Sequence, residues 1–459
     1  MYIVLDTNIL LLDANNLLTI AEDYDNPTIV LPETVLDEID SKKSGYSEVA
    51  YQARQFGRLL TMASTISIDK YDDYSCTVLQ LQGITIHVVS ATKYPSFTDT
   101  APSIVNDRKI IYVATLYNNK TDDNTIFVTN DVMCRIRAQA EALKVTDYKS
   151  ISDVEIEFNK KLKISEELFD DLQDKDITSV DQSYKPENCN YTFVNKVTGQ
   201  HKLAIIRDKT IQVIDKVAEK DIRNQDMPPL NTEQLFLSKA ILDPYIDIII
   251  ADARAGSGKT VTAISNAIKL VRNTNTPYDS VIYIRSSIND EDKGEDIGYL
   301  SGNDEKLAIY LHPLEDTLEL IARTRLSKSA KNKNKNKLEE KVPSKVDELR
   351  AQCNIQGIIT LGLRGRTLKN AVVIVDEVAN LSKASLQKVL TRIGENCKVI
   401  LIGSNKQIDN PYLNKYTNGL SLLLNACRIN NYSVKLHAVE LPKVVRSKVA
   451  EFAENIFTK

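Results

Sequence analysis

Four carboxylates in the first third of the chain have the residue type and placement that metal-dependent hydrolysis requires. They are Asp6 at the end of a strand, Glu38 on the helix after the second strand, Asp107 at the opening of a helix and Asp131 after a further strand. Sheets of the α/β type build sites at the carboxyl ends of their strands, so these side chains are expected to converge. Converging carboxylates repel one another unless a cation neutralises them, and oxygen ligands select Mg²⁺ or Mn²⁺. Such ions activate water at a scissile phosphate, so the pattern predicts a nuclease.

Each of these acids has a plainer interpretation when it is taken singly. Asp107 and Asp131 are at positions where an aspartate commonly caps a helix N-terminus. Glu38 can be one solvated acid among several in the run ETVLDEID. The histidines are dispersed, at positions 87, 201, 312 and 437, which argues against a zinc-dependent or histidine-based nuclease.

Polar residues near the acids are candidates to support them. Asn8, Asn130 and Arg54 can lie behind the carboxylates, although Asn130 is expected to cap its own turn instead. Arg54 and Arg58 are four residues apart on one predicted helix face. They can contact an RNA backbone, or they can be ordinary surface charge.

A phosphate-binding motif, ARAGSGKT, follows an apolar strand and precedes an amphipathic run. This is the context that a P-loop requires. Gly256 and Gly258, on either side of Ser257, let backbone N–H groups surround the phosphates of ATP. Lys259 is expected to reach the β- and γ-phosphates, and the hydroxyl of Thr260 to bind Mg²⁺. The helix N-terminus adds a favourable field for the anion.

A second nucleotide-related motif is NAVVIVDEVAN, in which an apolar strand ends in Asp376 and Glu377. Asp376 is expected to hold Mg²⁺ through water, and Glu377 to act as the base for the attacking water. A pair of acids after a strand is commonly a solvated helix start. The P-loop earlier in the chain favours the functional interpretation.

Four further residues are candidates to contact the nucleotide. Gln407 follows the strand VILIG and is placed to sense the γ-phosphate. Gln234 precedes the P-loop at a distance where a glutamine can read adenine. Arg392 and Arg446 are candidate arginine fingers, although a surface salt bridge is the plainer role for each.

The elements that carry these residues divide the chain into successive segments. Residues 1–150 alternate helical patterns with four predicted strands, YIVLD, TIVLP, TIHVV and NTIFVTND, which predicts a parallel α/β sandwich. Four more strands, YIDIIIAD, SVIYIR, NAVVIVDE and CKVILIGS, are predicted after residue 230. Residues 151–182 are acidic and are interpreted as a connector, and 183–226 as a small β-rich segment whose role, RNA contact or packing, is open. Residues 227–459 resume the alternation as an α/β P-loop domain. A lysine-rich insertion near 327–345 is interpreted as a solubilising loop, with non-specific RNA binding as the alternative.

Composition restricts the class of protein further. The 459 residues carry a net charge of −4, so the chain is not a generic polyanion binder. No run approaches the roughly 20 apolar residues of a membrane span. The six cysteines are scattered, without a zinc or disulfide pattern. These features predict a soluble cytoplasmic protein.

The C-terminal motifs together resemble the PhoH family. They are KGEDIGYLSG, RGRTLKNAVVIVDE, LTRIG and GSNKQID. The resemblance covers about residues 228–450 and implies a P-loop ATPase core similar to the first half of superfamily 1 helicases. Two positions depart from the family pattern. Ala253 replaces the first glycine of the P-loop, and it is expected to be tolerated unless the site needs a positive φ. Ser404 replaces an aspartate, which puts the coupling of hydrolysis to motion in more doubt than ATP binding.

The N-terminal motifs LDTN, LDEID, NDRKI and VTND resemble the PIN domain in order and spacing, as does GYSEVAYQARQFGRLL. Fusion of the two modules resembles PIN–PhoH proteins. It implies an ATP-dependent RNA helicase and metal-dependent ribonuclease that uses ATP with Mg²⁺ or Mn²⁺ on single-stranded RNA. It also implies a homo-oligomer, with a hexameric ring as the expected form. A PIN domain that binds RNA or a partner without cutting, and a DNA-directed flap-type nuclease, are the alternatives.

Overall fold

The structure of the protein, a computed structural model, describes residues 1–44, 48–96, 101–120, 124–148, 157–285, 303–329, 339–363, 365–410, 413, 418–429 and 432–457. The described residues form two compact units, one up to residue 148 and one from residue 157 onward. The motif KGEDIGYLSG, the start of GYSEVAYQARQFGRLL and the middle of the lysine-rich insertion lie outside the described residues. No helix of the described ranges is long and apolar enough to cross a membrane.

The first unit is an α/β sandwich, as the sequence predicts. Its strands are β1 (Tyr2–Leu5), β2 (Thr28–Pro32), β3 (Ser64–Lys70), β4 (Tyr74–Leu81), β5 (Ile84–Ala91), β6 (Thr125–Val128) and β7 (Lys144–Thr146). Its helices are α1 (Thr7–Leu12), α2 (Asn16–Glu22), α3 (Glu33–Ser41), α4 (Glu48–Thr61), α5 (Pro102–Lys120) and α6 (Val132–Ala140). The strand order is β3-β4-β5-β2-β1-β6-β7. Strand β1 is parallel to both of its neighbours, so the ends of β1, β2 and β6 share one edge.

The antiparallel hairpin of β3 and β4 was not predicted. It extends the sheet beyond β5, and most side chains of β3 are exposed. An exposed edge strand needs no continuous apolar run, so the residues STISIDK gave no strand signal. The four strands that the sequence predicts in this unit, β1, β2, β5 and β6, are all present.

A small four-stranded sheet opens the second unit. Its elements are β8 (Asn159–Ile164), α7 (Glu166–Asp170), α8 (Ile177–Val180), β9 (Asn190–Asn195), β10 (His201–Arg207), β11 (Thr210–Val213) and α9 (Lys216–Arg223). The strand order is β11-β10-β9-β8, with β8 parallel to β9. The interpretation of residues 151–182 as a mere connector was therefore wrong for their described part. The lysines of β8 lie largely on its more exposed face, which hid the strand within an acidic, polar stretch.

The second sheet has six parallel strands. They are β12 (Ile248–Ala253), β13 (Ser280–Arg285), β14 (Ile355–Ile359), β15 (Ala371–Asp376), β16 (Lys398–Gly403) and β17 (Leu436–Leu441). The helices are α10 (Thr232–Leu242), α11 (Lys259–Arg272), α12 (Asn303–Ser329), α13 (Val342–Cys353), α14 (Lys383–Leu390), α15 (Gly419–Ile429) and α16 (Lys448–Phe457). The order is β14-β13-β15-β16-β12-β17. The sequence predicted the four inner strands and missed β14 and β17, which are the two edges.

Both faces of this sheet are buried. Along β12, Ile249 and Ala251 enter one apolar cluster, while Ile250 enters a second cluster on the opposite face. Parallel strands covered on both faces appear in sequence as unbroken apolar runs, which is why the inner strands were predictable. The small sheet packs against β17, because Asn190 Nδ2 donates to the carbonyl oxygen of Ala438 at 2.8 Å. Packing within the unit is therefore one role of the β-rich segment.

Candidate functional sites

The P-loop connects the end of β12 to the start of α11. Gly256 and Gly258 have φ angles of +70° and +81°, in the left-handed region that favours glycine. A Cβ at Gly258 would also lie 2.8 Å from Nε2 of Gln234, so a larger residue would displace the amide of Gln234. The helix begins at Lys259, which turns the first backbone N–H groups of α11 toward the loop.

Ala253 replaces the usual first glycine without a conformational cost. It is the last residue of β12 and is buried in register with Leu441 of β17. Its φ is not among the positive values of the chain. Ala253 thus has a strand conformation and needs no positive φ, which was the condition under which alanine would not be tolerated.

The P-loop lies against the two acids that end the central strand. Thr260 Oγ1 donates to Asp376 Oδ2 at 3.1 Å, and Lys259 Nζ lies 3.4 Å from Glu377 Oε1. Tyr283 on β13 donates its hydroxyl to the same Asp376 oxygen at 2.7 Å. The structure thus brings together Lys259, Thr260, Asp376 and Glu377, all of which were predicted from the sequence. It adds Tyr283, which no sequence motif indicated.

Glu377 is held in an unusual state. Its backbone is left-handed, with φ 57° and ψ 42°, which is rare outside glycine and asparagine. Burial, followed by the neighbouring charge of Asp376, raises the pKa of the Glu377 carboxyl, while Lys259 opposes the shift. A carboxylate with a raised pKa beside a cation is suited to accept a proton near neutral pH.

Gln234 supports the P-loop directly. Its Nε2 donates to the carbonyl oxygen of Ser257 at 2.8 Å, and its Oε1 accepts from the backbone N–H of Leu230 at 2.7 Å. Both ends of the buried amide are therefore engaged with backbone. The prediction that this glutamine reads adenine stays a prediction, and loop support is the contact that the structure gives it. The hydroxyl of Ser257 is buried and has no hydrogen-bond partner among the described residues.

Gln407, the predicted γ-phosphate sensor, is tied to the C-terminal helix. Its Nε2 donates to Oε1 of Glu454 on α16 at 3.1 Å. Two residues earlier, the N–H of Asn405 donates to Oδ1 of Asp252 at the end of β12 at 3.2 Å. Ser404, where the PhoH pattern has aspartate, is buried. The segment that contains Gln407 is thus held to Asp252, the second-last residue of β12, close to the P-loop.

The two candidate arginine fingers differ in position. The backbone N–H groups of Val445 and Arg446 both donate to the carbonyl oxygen of Gly256, at 2.8 and 3.0 Å. Arg446 therefore borders the P-loop within the same chain, and its side chain is exposed. Arg392 follows α14, and its carbonyl oxygen accepts from Leu368. Among the described residues, no hydrogen bond or ion pair joins Arg392 to the P-loop.

Asp6 is the most enclosed acid of the first unit. Its Oδ1 accepts from the N–H of Thr7 at 2.7 Å. Its Oδ2 accepts from Asn8 Nδ2 at 2.7 Å and from Thr129 Oγ1 at 2.6 Å. Burial raises the pKa of Asp6 to about 6, against the lowering effect of these donors. Thr7, Asn8 and Thr129 thus fix the orientation of Asp6. Of these three residues, only Asn8 was a candidate from the sequence.

Glu38 and Asp107 lie near Asp6 and are bound by different neighbours. Glu38 accepts from the hydroxyl of Thr7 and from Asn106 Nδ2. Asp107 forms an ion pair with Arg137 Nη1 of α6 at 2.7 Å. The prediction that Asp107 opens its helix was wrong, because α5 begins at Pro102 and Asp107 lies inside it.

Asp131 is a helix cap, as its plainer interpretation proposed. Its Oδ1 accepts from the N–H groups of Met133 and Cys134, at 2.7 and 2.9 Å, at the start of α6. The prediction for Asn130 was wrong, because its side chain accepts from the N–H of Tyr148 and does not cap its own turn. Arg54 Nη1 donates to a backbone carbonyl, that of Lys43, at 2.8 Å.

The acids interact through their charges. Repulsion from Asp107 and Glu38 adds to the raised pKa of Asp6. Burial raises the pKa of Asp107, and Asp131 and Glu38 reinforce the shift while Arg137 opposes it. Across the described ranges, no three histidine, cysteine or acidic side chains are close enough to form a ready-made ion site. The four acids therefore interact as one cluster of charges, and their role as metal ligands stays a prediction.

Comparisons with known proteins agree with this division of the chain. The family model described as "PhoH-like protein" matches residues 226–458, and that described as "PIN domain" matches residues 3–149. Protein PhoH2 of Bacillus subtilis (strain 168) is 27% identical over 99% of this chain and 99% of its own length. Protein PhoH2 of Mycolicibacterium smegmatis is 25% identical over 89% of this chain and 86% of its own. Protein PhoH of Escherichia coli (strain K12) is 32% identical over 41% of this chain and 48% of its own.

Proposed function

Since the chain belongs to the PhoH-like protein family and carries an N-terminal PIN domain, we propose that it is an ATP-dependent RNA-processing enzyme. In this proposal a PhoH-like ATPase works as an RNA helicase motor, and the PIN domain is a metal-dependent endoribonuclease. The motor cycles between ATP and ADP states and presents single strands for cleavage. The observation that carries the proposal is the contact of Lys259 and Thr260 with the acids that end β15.

The ATPase chemistry follows from those contacts. Lys259 is placed to neutralise the β- and γ-phosphates, and Thr260 and Asp376 have the oxygen atoms that would hold Mg²⁺. Bound Mg²⁺ supplies charge neutralisation at the phosphates. Glu377 takes the proton of the attacking water, because its raised pKa brings its proton affinity closer to neutral pH. Gln234 keeps the loop in its binding conformation through Ser257.

The donor set of the first unit fits a hard divalent ion. Asp6, Glu38, Asp107 and Asp131 offer only carboxylate oxygens, and their mutual repulsion is the charge that Mg²⁺ or Mn²⁺ would relieve. Such an ion would supply an activated water and stabilise charge on the cleaved phosphate. Asn8 and Thr129 orient Asp6 for this role.

An apolar surface beside these acids suits the bases of a single strand. Val132, Met133 and Ile136 of α6 are 58%, 62% and 56% exposed. They follow Asp131 directly and lie on the turns of the helix that Asp131 caps. The bases of a single strand can be splayed out onto a protein surface, whereas a duplex keeps its bases stacked inside. Single-stranded RNA is therefore the proposed substrate.

The C-terminal helix supports a homo-oligomer. Val449, Phe452 and Ile456 of α16 are 76%, 64% and 50% exposed and are spaced at i, i+3 and i+7, on one face of the helix. Glu454 binds Gln407 from another face of the same helix. A second copy that covers this apolar stripe would lie close to the nucleotide site, where its Arg392 or Arg446 can act as a finger. A hexameric ring is the form that family resemblance favours.

A second candidate function is a PIN domain that binds RNA or a partner without cutting it. Two observations favour it. Both oxygens of Asp6 are already engaged by protein donors, and the described acids form no ready-made ion site. A DNA-directed flap-type nuclease has no such specific support.

The test is cleavage of labelled RNA and DNA oligonucleotides of matched sequence, with Mg²⁺ or Mn²⁺ and with or without ATP. Wild type is expected to cut RNA, Asp6→Asn to lose cleavage, and Lys259→Ala to lose only the ATP-dependent part on structured RNA. Asp72→Asn and Lys216→Ala, at exposed positions, are the matched controls. ATP hydrolysis without any cleavage would leave the binding module as the function of the PIN domain, and cleavage of DNA alone would favour the flap-type nuclease.

A further inference from the structure

The second unit contains a cavity of about 760 Å³ at the edge of the six-stranded sheet opposite the P-loop. Lys398, the first residue of β16, lines the cavity, so the cavity lies where the parallel strands begin. The P-loop follows the last residue of β12 and therefore lies where the strands end. Lys269 and Arg272, at the end of α11, form another wall. Because Lys259 at the start of α11 is ten residues before Lys269, the two sites are about 15 Å apart along the helix. The cavity is therefore distinct from the ATP site.

Basic side chains outnumber acidic ones around this cavity. The charged lining residues are Lys269, Arg272, Arg325 and Lys398, against Asp221 and Asp226. Two of these basic side chains form ion pairs, since Lys269 Nζ lies 2.9 Å from Asp221 and Arg325 Nε lies 2.6 Å from Asp226. Arg325 uses Nε in that pair, and among the described residues no hydrogen bond or ion pair engages its two terminal nitrogens. The balance favours an anionic occupant.

Arg272 is the lining cation with the greatest freedom to meet a ligand. Its side chain is exposed, and no ion pair holds it among the described residues. Lys398 is different, since it is buried and its Nζ donates to the carbonyl oxygens of Asp243 and Ile246, at 2.6 and 2.7 Å. Arg272 and Arg325 thus form the side of the cavity that can bind a phosphate by paired N–H groups.

Gln225 gives the cavity a second kind of recognition group. Only 8% of this lining residue is exposed, yet its Oε1 and Nε2 both lack a hydrogen-bond partner among the described residues. Leaving a buried polar atom unsatisfied costs about 1–3 kcal/mol. Both atoms are covered in this conformation, so an occupant meets them when the Gln225 side chain turns toward the cavity. The edge of a nucleobase, with adjacent donor and acceptor groups, would then satisfy both. Half-buried Tyr278 adds an aromatic surface to the same cavity.

We propose that this cavity binds a nucleoside phosphate. The phosphate lies at Arg272 and Arg325, and the base reaches Gln225 and Tyr278. The volume is within the range of small-molecule sites, roughly 300–1,000 Å³. The nucleoside phosphate is either a free nucleotide or the phosphorylated terminus of an RNA chain, which share this chemistry. The inference does not rest on the proposed nuclease or helicase activity.

The test uses the full chain with its P-loop saturated by a non-hydrolysable ATP analogue. Equilibrium dialysis then measures binding of labelled AMP, GMP, CMP and UMP, each in a separate experiment. One of the four is expected to bind with one site per chain. Gln225→Leu and Arg272→Glu are each expected to weaken that binding at least roughly tenfold. Lys259→Ala, measured without the analogue, is expected to keep it, as is Lys216→Glu, a charge change at an exposed position outside the cavity.

A 5′-phosphorylated trinucleotide of the preferred base distinguishes the two sources. Competition between it and the monophosphate assigns the site to an RNA terminus, and binding of the monophosphate alone assigns it to a free nucleotide. The proposal is overturned if no monophosphate binds at millimolar concentration. It is equally overturned if Lys259→Ala abolishes binding while Gln225→Leu and Arg272→Glu, both checked as folded by circular dichroism, leave it unchanged.

Discussion

Thr260 Oγ1 and Asp376 Oδ2 are joined by a hydrogen bond of 3.1 Å, although 116 positions separate the two residues in the chain. The bond places the first turn of α11 against the end of β15. Tyr283 donates to the same carboxylate oxygen from β13. Three elements therefore meet at one atom, an oxygen of the carboxylate that we propose to hold nucleotide-bound Mg²⁺.

Replacing Thr260 tests that relationship. Thr260→Val keeps the shape of the side chain but removes the hydroxyl, so we expect the Mg²⁺ concentration needed for half-maximal ATP hydrolysis to rise by about tenfold or more. Thr260→Ser, which restores the hydroxyl, is the matched control and should stay near wild type. A titration of ATPase rate against Mg²⁺ measures both. Equal behaviour of the valine and serine variants would exclude a role of the hydroxyl in holding the ion.

The state of Glu377 leads to a prediction about the ATPase step itself. Glu377→Gln removes the proton acceptor but keeps the size of the side chain, so hydrolysis should fall about 10²–10⁴-fold. ATP binding should persist, because Lys259 and the P-loop are unchanged. Since the raised pKa of Glu377 leaves more of it protonated in acid, the wild-type rate should rise with pH until this carboxyl is ionised. The glutamine variant should lack that rise, and a variant that kept wild-type turnover would show that another group is the base.

The raised pKa of Asp6 means that its ionised form, which would bind a metal ion, destabilises the folded protein. Its pKa is about 6 in the folded protein and near 3.8 in the unfolded chain, so the folded state binds the proton more tightly. The associated stability is complete below pH about 4 and is lost as the pH rises through about 6, a change on the order of 3 kcal/mol. Asp6→Asn, which cannot ionise, should therefore gain stability relative to wild type as the pH rises from 4 to 8 in EDTA, whatever its amide loses against the donors around Asp6.

Thermal unfolding at several pH values measures this effect. The gain of Asp6→Asn over wild type should shrink toward pH 4, where the wild-type carboxyl is already protonated. Mg²⁺ or Mn²⁺ should raise Tm of wild type at pH 8 and leave Asp6→Asn unchanged, because the ion supplies the missing neutralisation. Asp72→Asn, at an exposed position, should match wild type throughout. A difference in Tm between Asp6→Asn and wild type that does not change with pH would contradict the prediction.

The parts of the fold that the sequence predicted are those with a local physical signal. Buried parallel strands such as β12 and β15 appear as apolar runs, and the P-loop appears as closely spaced glycines before a lysine. The edge strands β3 and β8 lack that signal, since many of their side chains are exposed or polar. Sequence reasoning therefore located the sheet centres and missed several of their edges.

The sites show the same division. Motif spacing located the acids and the P-loop, but three of their binding partners come from distant elements. Tyr283 is 93 positions from Asp376, Thr129 is 123 from Asp6, and Arg137 is 30 from Asp107. No local pattern distinguishes a tyrosine, threonine or arginine with such a role from an ordinary one, so only the three-dimensional arrangement finds them.

The apolar stripe of α16, formed by Val449, Phe452 and Ile456, is predicted to lie between copies of the chain in the oligomer. A charge in its middle, Phe452→Asp, would have to be buried if a second copy covers the stripe, so the oligomer should dissociate. Light scattering should show a smaller mass for this variant than for wild type at the same concentration. Glu451→Lys, a charge change at an exposed position on another face of the helix, should leave the mass unchanged.

ATP hydrolysis then decides whether the neighbour completes the site. If an arginine of the adjacent copy acts as a finger, Phe452→Asp should lose hydrolysis together with assembly but still bind ATP, because Lys259 and Gly256 belong to its own chain. Mixing Glu377→Gln with Arg392→Ala or Arg446→Ala should restore activity only for the arginine that acts across the interface. Arg446 borders the P-loop of its own chain, whereas Arg392 has no such contact among the described residues, so Arg392 is the expected finger. A monomeric wild-type protein that hydrolyses ATP at full rate would contradict both expectations.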